Sequence, residues 1–142
     1  MSLDPDLMAR KLESLRRCLE RITHKRPESA AVLENDVDIQ DILSVNLERA
    51  IQLCVDMANH ILADQSGPPA ETMGETFDLL AKQKIISAEL ASQMKAAVGF
   101  RNLSVHAYDR IDWERVFKVV HDHLDNFRNF ARSVAQRANL EN

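Results

Sequence analysis

Apolar residues recur at three- and four-residue steps along most of this chain, and that period predicts helices rather than strands. Met8, Leu12, Leu15, Leu19 and Ile22 form one stripe, so a first helix is expected over residues 5–23, with Asp4 as its cap and Pro5 in its first turn. Pro27 ends it, and a short helix over residues 28–34 is expected next. Residues 38–63 keep the period through Ile39, Ile42, Leu43, Leu47, Ala50, Ile51, Cys54, Ala58, Ile61 and Leu62. Their other side carries Asn46, Glu48, Arg49, Gln52, Asp56 and Asn59. Val45, Leu53, Val55 and Met57 widen the apolar surface beyond one stripe, which suits a central bundle helix or a subunit contact.

Gln65-Ser66-Gly67-Pro68-Pro69 is the clearest break. Thr72-Met73-Gly74-Glu75 is a capping-box pattern that opens a short helix through Phe77, Leu80 and Ala81. Ser87 caps another helix, lined by Leu90, Met94, Ala97 and Val98. Asp112 caps a last, unbroken helix in which Trp113, Val116, Phe117, Val120, Leu124, Phe127, Ala131 and Val134 hold the period. The expected fold is all-α: a single domain over residues 1–142, an up-and-down bundle of four main helices plus one or two short ones.

Composition agrees with this. A chain of 142 residues with 45% hydrophobic and 28% charged residues can bury one core, and three Gly with four Pro leave little for the turns of a β fold. Cys18 and Cys54 fall inside apolar patterns and read as small buried hydrophobes in a reducing compartment. The first residues lack a leader pattern and no stretch is apolar enough to span a bilayer, so a cytoplasmic protein with no membrane contact is expected.

The net charge of -4 argues against a general nucleic-acid coat protein, but the charge is uneven. Residues 10–26 carry seven basic side chains against Glu13 and Glu20, residues 27–92 three against twelve acidic, and residues 93–142 eight against six. First and last helices lying side by side would pool their positive charge, and the acidic middle would suit a basic partner.

The chemistry concentrates in Arg101-Asn102-Leu103-Ser104-Val105-His106-Ala107-Tyr108, which includes the only tyrosine. A guanidinium holds phosphate through a planar fork of donors, and an imidazole moves protons near neutral pH. Together they suggest phosphodiester chemistry. On an ideal helix, however, Arg101 and His106 point roughly 140° apart. Either the helix ends near His106 and the imidazole swings in from a loop, or two chains share one cleft; both remain open. Cleaving RNA without a metal needs a base, an acid and a cation for the phosphorane, which two copies of the motif would supply. The plain structural alternative is a capped helix end with Arg101 paired to Asp109 or Asp112. His121 and His123 diverge by about 200° on a helix and read as solvent-facing. Asp36, Asp38 and Asp41 read as helix-start charges. There is no Gly-rich phosphate loop, paired-Cys zinc pattern or nucleophile elbow, and no cofactor is expected.

Residues 101–108 resemble the signature of the HEPN superfamily: Arg, a polar residue, a spacer, then His. The tyrosine two residues after the histidine resembles the HepT branch, the toxins of HEPN–MNT toxin–antitoxin systems. Asn46-Leu47-Glu48-Arg49-Ala50-Ile51-Gln52 and Tyr108-Asp109-Arg110-Ile111-Asp112 are similar to further stretches of that branch. The resemblance runs from the first helix to about residue 130. It implies a helical homodimer with two motifs facing one cleft, acting as a metal-independent endoribonuclease. Arg101 would stabilise phosphate, His106 would be the acid/base, and Asn102, Ser104 and Tyr108 would line the substrate site. It also implies a nucleotidyltransferase antitoxin of MNT type, which in such systems silences the toxin by transferring AMP to the motif tyrosine, here Tyr108. The alternatives are a non-catalytic HEPN module that binds a nucleotidyltransferase or nucleotide, and a purely structural helical adaptor.

Overall fold

The computed structural model describes residues 4–65 and 67–139, and every regular element among them is helical. The helices are α1 (Pro5–Lys25), α2 (Ala30–Asn35), α3 (Val37–Ala63), α4 (Met73–Lys82), α5 (Ala88–His106), α6 (Trp113–Asp122) and α7 (Leu124–Arg137). A single 3₁₀ turn, Tyr108–Arg110, follows α5. The starts are set where the sequence places capping oxygens. Asp4 accepts from the amides of Asp6 and Leu7, Thr72 from Glu75, Ser87 from Leu90, and Asp112 from Glu114 and Arg115. Ser29 and Asp36 cap α2 and α3 in the same way. Each bond satisfies an amide that the helix itself leaves unpaired.

The wide apolar surface of α3 has its explanation in position. This helix packs against α1, α2, α4, α5 and α7, so it buries residues around most of its circumference, including Leu43, Leu47, Ile51, Cys54, Val55, Met57 and Ile61. Phe77 of α4 and Phe130 of α7 meet edge to face at 5.5 Å in the same core. Asn46, expected on the polar side of α3, is buried instead and donates to the Ile42 carbonyl one turn back. Gln40 is also buried; its amide takes the Leu33 and Glu34 carbonyls that end α2. Burial pushes the Cys54 thiol far above its ordinary range, in keeping with a cysteine that serves as a core residue.

One expected element divides. The last helix is two helices, α6 and α7, separated at His123, whose backbone (φ -122°, ψ 7°) leaves helical geometry. No Pro or Gly marks the break. Arg26, just past α1, donates to the Val120 carbonyl at 2.8 Å, and the His121 ring nitrogen meets the Pro27 carbonyl at 2.8 Å. A side chain that captures a carbonyl opens the ladder at that point. The apolar period survives because the break spans one residue. His121 and His123 are exposed, as their divergence suggested.

The basic chain ends do lie side by side, since α1 contacts α7, and Arg16, Arg128 and Arg132 line a groove there. Much of that charge is already matched: Arg16 is held by Glu13 and Glu20, and Arg128 by Asp125. Glu13, with Arg16 and Arg17 beside it, is drawn down to a pKa of about 2.

Candidate active site

The motif occupies the last two turns of α5 and the 3₁₀ turn after it. Ser87 starts α5, and the helix runs unbroken to His106, where Ala107 turns out of helical geometry and its amide closes on the Leu103 carbonyl. His106 is therefore the final helical residue, not part of a swinging loop. On this unbroken helix Arg101 and His106 keep the ideal spacing of about 140° around the axis. That angle by itself does not aim both groups at one atom.

Arg101 is partly exposed, and its Nη1 donates to Asn102 Oδ1 at 3.2 Å. No ion pair among the described residues involves Arg101, so the expected alternative partners Asp109 and Asp112 leave it free; Asp112 is occupied in capping α6. His106 and Asn102 are exposed. The imidazole sits at the C-terminal end of α5. A phosphate approaching here would meet a guanidinium with donors to spare and an imidazole able to carry a proton.

Ser104 lies elsewhere. It faces inward, is 3% exposed, and its hydroxyl donates to Glu48 of α3. The reason is the period of α5: residue 104 falls on the face that packs against α3, three positions from Arg101 and two from His106. It ties the end of α5 to α3 rather than offering a donor to solvent.

Tyr108 is 43% exposed and stands on the 3₁₀ turn, off the α5 axis, so it does not share the Arg101 face that an extended helix would give. Its hydroxyl donates to Asp41 Oδ1 of α3 at 2.8 Å, and its ring meets Trp113 edge to face at 5.8 Å. Burial and the Asp41 carboxylate hold the phenol above its ordinary range, while the nearby Ser44 hydroxyl opposes them. Ser44 is 2% exposed and its hydroxyl makes no hydrogen bond of normal geometry. Asp41, Ser44 and Glu48 form a polar stripe at steps of three and four on α3, under the motif. Sequence reasoning assigned Asp41 to a helix start and left Glu48 on a polar edge. Their spacing within the longest apolar helix was the available signal.

Val45 on α3 and Val105 on α5 are both exposed, one turn before Glu48 and one residue after Ser104. Residues 101–108 line neither the cavity of about 770 Å³ between α4, α5 and α7 nor the smaller one of about 270 Å³ lined by Leu47, Met94, Phe100 and Phe127. Among the described residues, no helix is long and apolar enough to cross a membrane.

Comparison with known proteins shows the family. A family model described as ribonuclease HepT-like matches residues 11–134. The mRNA nuclease HepT of Shewanella oneidensis is 32% identical over 125 residues, spanning 88% of this chain and 93% of the relative. The tRNA nuclease HepT of Aphanizomenon flos-aquae is 28% identical over 133 residues, or 94% and 90% of the two chains. A solved structure of the tri-AMPylated Shewanella oneidensis HEPN toxin in complex with MNT antitoxin superposes with a TM-score of 0.87 at 30% identity, covering 92% of this chain and 98% of that one. By sequence and by fold, this chain belongs to the HepT-like ribonuclease family.

Proposed function

We propose that this protein is a metal-independent endoribonuclease toxin that acts in the cytoplasm as a homodimer. The observation that carries this reading is the pair Arg101 and His106, unencumbered by carboxylates, at the end of an unbroken helix in a HepT-like chain. Cleavage by attack of the 2′-hydroxyl needs a group to take its proton, a group to protonate the leaving 5′-oxygen, and positive charge on the phosphorane. Two His106 imidazoles supply the base and the acid, and two Arg101 guanidiniums supply the charge. A two-fold axis that brings two α5 termini together places all four at one phosphate, which the 140° splay denies to a single chain. The exposed Val45 and Val105 beside the motif suit such a contact. Asn102 fixes the Arg101 fork and keeps its own amide hydrogens for substrate. Ser104 acts through Glu48 by holding the catalytic turn, and Tyr108 presents an exposed ring edge to RNA.

The partner in this reading is a nucleotidyltransferase antitoxin of MNT type, as in the solved Shewanella complex, and its target is Tyr108, exposed and two residues from His106. An adenylate there would fill the cleft and repel RNA by charge. The direct test is RNA cleavage in EDTA by wild type and His106→Ala, with product ends identified. Cleavage that leaves a 2′,3′-cyclic phosphate and falls by about 10²–10⁴-fold in the variant is expected. Wild type with unmodified Tyr108 that cleaves none of several RNAs would favour a partner-binding module instead.

A further inference from the structure

Tyr108 is a poor nucleophile as it stands. A phenol ordinarily ionises near pH 10, and this one is held protonated by its surroundings. To attack a phosphorus atom at neutral pH it must lose its proton as the new bond forms. The group already on the line of that proton is Asp41 Oδ1, 2.8 Å from the phenolic oxygen. Protein kinases use an Asp in this way, accepting the proton of a substrate hydroxyl during phosphoryl transfer.

The geometry points to Asp41 as the general base that activates Tyr108 for its own nucleotidylation, so that the toxin contributes part of the chemistry that silences it. This rests on the reading of Tyr108 as the acceptor of an adenylate. The co-reactant is a nucleoside triphosphate presented by the nucleotidyltransferase partner. The bond from Tyr108 Oη to the α-phosphorus forms, and the bond from that phosphorus to the bridging oxygen breaks. Pyrophosphate leaves with the electron pair, and the phenolic proton passes to Asp41 Oδ1. Two further features suit the step. Asp41 is fixed on the longest helix of the bundle, so little reorganisation is needed. The buried Ser44 hydroxyl, without a hydrogen-bond partner of its own, lies next to the same phenol and can donate to the oxygen as its negative charge grows. The charged groups that act on the phenol are Asp41 and Glu48, both on α3.

Asp41→Asn separates a base from a mere anchor, because the amide oxygen still accepts the phenolic hydrogen bond but takes no proton. Wild type, Asp41→Asn and Tyr108→Phe are each mixed with the MNT-type partner, ATP and Mg²⁺ over roughly pH 7 to 9. Adenylate on the toxin is followed by intact mass, and folding by circular dichroism. The expected result is an initial rate about 10²–10⁴-fold lower for Asp41→Asn. That residual rate should climb about tenfold per pH unit, since only ionised phenol then attacks, while wild type changes little. A wild-type rate in Asp41→Asn overturns the proposal, and so does a lowered rate as flat with pH as wild type, which marks an anchor. If Asp41→Asn does not fold, Asp41→Glu takes its place: a slower but pH-flat rate is expected, and a rate that climbs with pH overturns the base role. A wild type that takes no adenylate, or a Tyr108→Phe variant that takes as much, overturns the acceptor reading itself. That outcome is distinct from a modified wild type with an indifferent Asp41.

Discussion

Tyr108 is tied to a carboxylate 67 positions earlier in the chain, and this bond defines its chemistry more than its neighbours in sequence do. Because it is the only tyrosine, its ionisation can be read directly from tyrosinate absorbance. Burial, and then Asp41, raise its pKa in the folded protein above the unfolded value near 10. The folded state therefore keeps the proton where the unfolded chain has lost it. The stability this contributes is complete below about pH 10 and is lost as pH rises through the folded pKa. Alkaline titration should show tyrosinate appearing later than in a denatured control, and Asp41→Ala should shift the curve back down. Coincident curves for the two proteins would deny the Asp41 contribution. At this scale the residue types of the motif were legible, and so was the awkward angle between Arg101 and His106. The inward turn of Ser104 was not, because Glu48 lies 56 positions away and sequence spacing says nothing of such a contact.

Helices were the most readable elements, since a stripe of apolar residues and a capping oxygen are both local signals. The starts at Asp4, Thr72, Ser87 and Asp112 followed from them. The α6–α7 break did not, because its cause is Arg26, 94 positions away, and the apolar period runs straight across it. Arg26→Ala should cost about 1–2 kcal/mol, the range for losing a hydrogen bond from a charged donor when the freed carbonyl can find another amide. Urea unfolding measures this; an unchanged midpoint would mean that Arg26 contributes nothing to holding the α1–α2 corner on α6.

At the scale of the whole molecule, one chain presents Arg101 and His106 around an unbroken helix, and the proposed function calls for a shared cleft to bring them to one phosphate. This predicts complementation. Arg101→Ala and His106→Ala homodimers should each lose nuclease activity by about 10²-fold or more. Subunits of the two variants, mixed and allowed to exchange, should regain a measurable part of it, because the mixed cleft again holds one Arg101 and one His106. Mixtures no more active than the separate variants, with exchange verified, would place each site within a single chain. The charge pattern of the sequence also held at this scale in part. The basic ends of the chain meet, as their distribution suggested, but Glu13, Glu20 and Asp125 take up much of their charge.

By itself the sequence determined the helical class, the positions of most helices and the candidate reactive groups. Periodicity, capping and side-chain chemistry are local properties, expressed within a few residues. Only the tertiary structure decided which polar groups of α3 lie beneath the motif, that α5 stays helical through His106, and that the last helix is cut in two. Those outcomes rest on contacts across tens of residues, where packing and hydrogen bonding select one partner among many that the sequence would allow.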